Sequence, residues 1–347
     1  MELIATERFA VFELSRRNFT AREHKATDGA NSCRAAPNSG SVAAKTPIAA
    51  SAIVFKRGGE AIEIPSMRLR ELNSTNASRF RGLMEKHGFV VLTETGSIRR
   101  AYVEFMELLK AFFECDSKLK ESCKGAVHFN ERGIPMWHIG YERCGDVREA
   151  FRLPAPFVSP PGLQKPWPCP RLRSAWFSVL RLLHRVCHRA LTLTLGRPVL
   201  GAPLGAPPAD DDVQKDDDFS VSYALHYPNE VADPALKEED LTVGEHIDPS
   251  LFVAEPCCGV EGLEIRDRAT GRWLPVEAVC ASLGRDGSGR LAEGRELILF
   301  GGKALERATD GRVRGAPHRV RRGDHGERYC FIYEQKYAEF FPPPTLD

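Results

Sequence analysis

The rhythm of apolar positions changes twice along the chain. Up to about residue 48 no periodicity survives, and Ala26–Ala50 is dominated by Ala, Ser, Thr, Asn and Gly. Such a stretch buries too little apolar surface to order itself and reads as a disordered extension. Order is expected from Ile53-Val54-Phe55, and Ile62-Glu63-Ile64-Pro65 alternates as a short strand does. Helical spacing follows. Asn76 to His87 puts Phe80, Leu83 and Met84 on one face, with Asn76 as the cap and Gly88 as the stop. Phe89-Val90-Val91-Leu92 then predicts a buried strand. Ser97 to Phe113 predicts an amphipathic helix with Ile98, Ala101, Tyr102, Phe105, Leu108, Leu109 and Phe112 inward. Pro154 to Pro170 is proline-rich and predicts a connection. Arg173 to Leu195 is the strongest helix, with Trp176, Leu180, Leu183, Cys187, Ala190 and Leu191 on one face and Gly196 ending it.

From Phe219 onward the period shortens to that of strands between Gly and Pro turns. The candidates are Val221–Tyr227, Leu251–Ala254, Leu263–Arg266, Leu297–Phe300, Val313–His318 and Tyr329–Tyr333. This predicts an α+β chain: a helix-rich region over residues 49–200, then a double-sheet β region over 201–347. Residues 282–294, rich in Gly, Arg and Ser, read as a long surface loop.

Composition narrows the function classes. The chain has 347 residues, with 48 Lys and Arg against 47 Asp and Glu, a net charge of +1. That is long enough for a sizeable core and gives no global pull towards nucleic acid or acidic membranes. No apolar run approaches the ~20 residues that span a bilayer. The ten cysteines contain no Cys-x-x-Cys pair, which argues against a zinc ribbon or a thioredoxin-type site. With no signal peptide apparent, the thiols are expected to be reduced and the protein cytoplasmic. Arg8, Arg16, Arg17 and Arg22 suggest an organelle leader, but Glu2, Glu7, Glu13 and Glu23 oppose it, since such leaders are poor in acids.

Three clusters carry candidate chemistry. His184 and His188 are four apart on a helix, yet no Glu follows His184 and Arg181 and Arg185 share the face; a solvated polar face is the expectation. Asp210–Asp212 and Asp216–Asp218 lack the turn glycine and closing Glu of a calcium loop and read as a solvated loop. The third is Gly244-Glu245-His246-Ile247-Asp248 with His318-Arg319-Val320 far downstream. On an extended segment His246 and Asp248 leave the same face. Two neutral imidazoles and one carboxylate can occupy one face of an octahedral metal and leave the other positions open. Arg328 lies ten residues after His318, an even offset that returns to the same face of a strand. A guanidinium there can grip a carboxylate with two parallel hydrogen bonds. Metal and clamp together suggest a 2-oxo acid bound end to end.

These residues resemble the isopenicillin N synthase-like group of 2-oxoglutarate/Fe(II)-dependent dioxygenases. Ala224-Leu225-His226-Tyr227-Pro228 is similar to that family's Asn-Tyr-Tyr-Pro strand, and Gly262-Leu263-Glu264-Ile265 and Gly271-Arg272-Trp273 resemble its Gly-Leu-Gln-Val and Gly-x-Trp. Leu305 to Val320, with Asp310-Gly311-Arg312 and Pro317-His318-Arg319-Val320, is similar to its Leu-x-x-x-Ser-Asn-Gly…His-Arg-Val run. Arg328 falls where its Arg-x-Ser arginine falls, and Arg148-Glu149-Ala150-Phe151 is similar to its Lys-Glu-x-Phe segment. The resemblance spans roughly residues 50 to 345. It departs where the Ser of Arg-x-Ser is Cys330 and where the Asn of Asn-Tyr-Tyr-Pro is Leu225.

The resemblance implies a double-stranded β-helix (jelly-roll) core and Fe(II) held by His246, Asp248 and His318. It also implies a 2-oxoglutarate co-substrate whose far carboxylate meets Arg328 and Tyr227. O2 is the other co-substrate, with ascorbate a further candidate; succinate and CO2 leave as a small organic substrate is hydroxylated, desaturated or cyclised. Tyr141, Phe151 and Phe331 are candidate substrate lining, and the protein is expected to act as a monomer without nucleic-acid or membrane partners. Two other readings stay open: an oxidase of the same shape that does not use 2-oxoglutarate, and a jelly-roll binding protein without turnover.

Overall fold

The computed structural model describes residues 52–57, 60–129, 134–145, 147–154, 167–199, 218–228, 241–282, 293–322 and 326–341. The expected extension at 1–48, most of the proline-rich connection, the acidic runs before Asp218 and the core of the 282–294 loop lie outside the described residues. In chain order the strands are β1 (Ala52–Arg57), β2 (Glu60–Arg68), β3 (Phe89–Thr93), β4 (Lys124–Phe129), β5 (Pro135–Cys144), β6 (Arg148–Pro154) and β7 (Val221–Tyr227). They continue with β8 (Leu241–His246), β9 (Phe252–Pro256), β10 (Leu263–Arg266), β11 (Trp273–Leu274), β12 (Leu297–Gly301), β13 (His318–Arg321) and β14 (Arg328–Glu334). The helices are α1 (Ala77–His87), α2 (Gly96–Phe113), α3 (Ser117–Ser122), α4 (Pro170–Leu195), α5 (Val276–Ser282) and α6 (Lys303–Ala308).

Ten strands form one sheet in the order β1-β2-β3-β12-β9-β14-β7-β6-β5-β4, and four form a second in the order β11-β10-β13-β8. Strands from both expected regions therefore share the large sheet. Only β2 and β3 pair in parallel; every other named ladder is antiparallel.

Strand alternation sorts the large sheet into two faces. Val90, Leu92, Phe151, Ala224, Phe252, Ala254, Leu297, Leu299, Phe331 and Tyr333 join the core that includes α2 and α4. Their sequence neighbours Phe89, Val91, Val253, Ile298 and Phe300 join a second core with Leu263, Ile265, Leu274 and α5 of the small-sheet side. Burial on both faces explains the unbroken apolar runs Phe89–Leu92 and Leu297–Phe300. Trp176 is the hub of the helix-side core. It is fully buried, and its ring meets Phe105, Phe151 and Phe331 edge-on at 5.6, 5.5 and 4.8 Å between centroids. Its indole N–H donates to Ser222 Oγ at 3.2 Å.

Most predicted boundaries agree within one to three residues, and four local expectations need correction. Gly88, at φ +82°, ends α1, but Asn76 makes no side-chain cap; Asn73 Oδ1 instead accepts from the Asn76 backbone N–H at 3.2 Å. The strand expected over Val313–His318 begins only at His318. Upstream, Gly315 N–H donates to Glu306 and Ala316 N–H to Gly301 O, and Pro317 has no donor to offer a ladder. His184 and His188 are buried rather than solvated. His184 Nδ1 lies 2.8 Å from the Tyr333 hydroxyl, and burial, with His188 and Arg185 nearby, draws its pKa down to about 4. Tyr141, Phe151 and Phe331 face the helices, one residue out of phase with the opposite face of the sheet.

No helix among the described residues is long and apolar enough to cross a membrane. Because Trp176 has no room to collapse into, Trp176→Ala should destabilise the fold by about 3–5 kcal/mol, read as a lowered midpoint in urea unfolding. A loss below about 1 kcal/mol would mean the helix layer is not packed as described.

Candidate metal centre and its pocket

Pairing across the small sheet assembles the three candidate ligands. His318 opens β13 and lies opposite His246, the last residue of β8. Asp248 follows two residues beyond His246. Its carboxylate oxygens lie 3.5 Å from His246 Nε2 and 3.4 Å from His318 Nε2. Donors cis to one another on an octahedral ion with bonds of about 2.1 Å sit about 3 Å apart, so a divalent metal fits with a shift of a few tenths of an ångström. The tautomers fit as well. His246 Nδ1 lies 2.8 Å from Gly244 O and His318 Nδ1 lies 3.2 Å from Ala316 O. Each ring can donate to a carbonyl two residues back and keep its Nε2 lone pair for a metal.

Electrostatics favour a cation there. Burial, then the neighbouring His246, pull His318 down to about 3, so its ring is neutral. Burial, then Glu334, push Asp248 well above the usual carboxylate range, with Lys336 opposing weakly. A divalent ion reverses that balance and holds the carboxylate ionised. The loop after Asp248 is clamped from behind: Lys303 N–H donates to Asp248 O at 2.8 Å, and a side chain on Gly302 would fall 2.7 Å from that same oxygen. Phe300 packs on His318 with centroids 4.8 Å apart.

A cavity of about 640 Å³ opens between the sheets. His246, Asp248, His318, Tyr227 and Arg328 all line it. Arg328 reaches it by a different route from the one its offset suggested. β13 ends at Arg321, and Arg328 opens β14 in the large sheet, so it faces the metal ligands from the opposite wall. Tyr227 pairs with Arg328 across β7 and β14, and the guanidinium carbon lies 5.4 Å from the Tyr227 ring centre. The two departures from the family pattern also pair: Cys330 lies opposite Leu225. Both are buried beside Tyr227 and Cys258.

Two residues that sequence reasoning missed decide the state of Arg328. It is 1% exposed. Its Nη2 donates to Glu255 Oε1 at 2.8 Å and Glu277 Oε1 at 3.0 Å, and its Nε to Glu277 Oε2 at 3.2 Å. Nη1 is buried without a hydrogen-bond partner among the described residues. The two acids are unequal. Burial opposes ionisation of Glu277, but Arg328 and the Leu263 N–H outweigh it and lower its pKa. At Glu255 burial wins over Arg328, with Glu277 adding repulsion, and the pKa rises to about 7. The available signal was Glu255 itself, a lone acid in the apolar run Leu251–Pro256, which demands a buried partner. Glu255, Cys258 and Cys330 also converge within 4.8 Å. A cation there would meet the Arg328 guanidinium, so this trio is no metal site.

No protein-family model and no curated protein matches the sequence. Solved structures do match. A full-length Neurospora crassa protein, solved in complex with alpha-KG and 5-formyluracil, aligns at 18% identity over 82% of this chain and 87% of its own, with a TM-score of 0.57. The dioxygenase for auxin oxidation from rice gives 18%, 79%, 83% and 0.56. Dioxygenase for auxin oxidation 1 from Arabidopsis thaliana, as its 2-oxoglutarate complex, gives 15%, 80%, 98% and 0.57.

The ion pairs around Arg328 predict a contrast. Glu277→Gln strips a buried cation of its main counter-charge and should cost about 3–5 kcal/mol. Glu255→Gln should cost much less, because burial and the neighbouring Glu277 already favour the neutral form of Glu255. Urea unfolding at pH 7 checks this, and equal losses would contradict the assignment. The chain thus shares the fold of these solved structures, among which is also a putative 2OG-Fe(II) oxygenase family protein from Caulobacter crescentus, at 19% identity and a TM-score of 0.54.

Proposed function

We propose that the protein is a non-haem Fe(II)- and 2-oxoglutarate-dependent dioxygenase that hydroxylates, desaturates or cyclises a small organic substrate. The two facing sheets are read as its double-stranded β-helix. The observation that carries the proposal is the pairing of His246 with His318, with Asp248 within 3.5 Å of both, at one wall of a cavity whose opposite wall carries Arg328.

Each residue has a definite task. His246, Asp248 and His318 hold the metal on one face and leave the cavity side for substrate groups. When bound, Fe(II) supplies the O2 chemistry, with 2-oxoglutarate oxidised to succinate and CO2. The Gly244 and Ala316 carbonyls fix the two imidazoles, and the Gly302 contact fixes the Asp248 loop. Arg328 offers Nη1 to the far carboxylate of the co-substrate. Tyr227 bounds that end with its ring, and Leu225, Val253, Phe300 and Ile332 supply apolar lining. The ion pairs Arg152–Glu142 at 2.5 Å and Lys336–Glu334 at 2.7 Å put compensated charge on the same wall, which suits a polar substrate.

One observation favours a second reading. Glu255 and Glu277 already share Arg328, which weakens its pull on another anion and keeps open an oxidase of this shape that does not use 2-oxoglutarate. O2 consumption measured with and without 2-oxoglutarate separates the two.

His246→Ala and Asp248→Ala should stay folded by circular dichroism, lose stoichiometric Fe(II) binding and reduce 2-oxoglutarate-dependent succinate release to background. Fe(II) bound by His246→Ala at the wild-type affinity would sink the site.

A further inference from the structure

A second arginine reaches the Arg328 end of the cavity. Arg148 opens β6, one register step beyond the Glu149–His226 pair, which sets it beside Tyr227 on the flank opposite Arg328. It lines the same cavity, and the Tyr227 hydroxyl and Cys144 thiol lie close enough to bear on its charge. Three neighbouring strands thus carry Arg148, Tyr227 and Arg328 side by side, and the Tyr227 hydroxyl feels both cations.

Their charge states differ. Arg328 is matched by two carboxylates, as Arg152 is by Glu142 and Lys336 by Glu334. Arg148 forms no ion pair with an Asp or Glu among the described residues. Glu277 alone already balances the charge of Arg328, and Glu255 lies on the same guanidinium. A ligand carboxylate placed on Arg328 alone would find no spare positive charge and at least one like charge in a buried site. Arg148 supplies a positive charge, and Arg328, a lining residue whose buried Nη1 has no partner among the described residues, supplies a hydrogen bond.

We propose that Arg148 is a carboxylate-binding residue of this cavity, sharing the far carboxylate of a 2-oxo diacid with Nη1 of Arg328. This deepens the co-substrate reading given above and rests on it. The recognition is for a dicarboxylate: the metal end takes the 2-oxo acid group, and the paired arginines take the second carboxylate.

The test is calorimetric and needs no turnover. Mn(II)-loaded protein is titrated with 2-oxoglutarate and with pyruvate, which keeps the chelating end and lacks the second carboxylate. Arg148→Gln should weaken 2-oxoglutarate roughly 10- to 100-fold, the range for a lost charge-assisted contact, and leave pyruvate and Mn(II) affinity unchanged. Arg148→Lys should recover part of the loss. Tyr227→Phe should lose less than Arg148→Gln, because the arginine acts directly and not through the hydroxyl. Unchanged 2-oxoglutarate affinity in Arg148→Gln, equal weakening of both acids, or an equal loss in Tyr227→Phe would overturn the proposal. Wild-type protein that binds Mn(II) but not 2-oxoglutarate would instead refute the co-substrate reading itself, and the proposal with it.

Discussion

A sheet covered on both faces admits charge only where charge is answered, and the rest of this structure follows from that constraint. The helix side of the ten-stranded sheet is apolar and interlocked around Trp176. The other face is not wholly apolar. Its charges therefore come in sets: Arg328 with Glu277 and Glu255, Arg152 with Glu142, Lys336 with Glu334. Asp248 stands apart. It is largely buried, it has no described cation within ion-pair distance apart from two histidines, and one of these is held neutral. With two imidazole Nε2 atoms facing it, that carboxylate lacks the charge a bound divalent cation would supply.

The small sheet serves geometry more than stability. Its β13 is four residues long and its ladder with β8 is irregular after His318, yet the one register pair that matters, His318 with His246, is made. The orientation of the two imidazoles is then set locally by the carbonyls two residues upstream of each histidine. On the proposed reading, co-substrate recognition and metal binding are divided between the two sheets.

Much of this was legible in the sequence, for identifiable reasons. His-x-Asp and a distant His are a ligand set with little redundancy, and the three residues do converge. The faces of α2 and α4 followed from period alone. Arg328 was rightly placed in the pocket, but by an offset argument that fails, since β13 and β14 belong to different sheets. Tyr141, Phe151 and Phe331 were misplaced because alternation says which residues share a face and not which face meets the cavity. β4–β6 carry little alternation and were not marked as strands. His184 and His188 looked solvated because their arginine neighbours on the helix are polar, whereas Tyr333 from β14 provides the buried partner. Glu255 and Glu277 reach Arg328 from 73 and 51 residues away, a distance no local pattern spans.

The central claim is that metal and 2-oxo acid meet at His246, Asp248 and His318. Anaerobic visible absorption during titration of the metal-free protein, first with Fe(II) and then with 2-oxoglutarate, tests it most directly. A weak charge-transfer band that develops only when both are present, and saturates at one equivalent of iron, is the predicted result. Iron bound at full stoichiometry with no band at any 2-oxoglutarate concentration would contradict it.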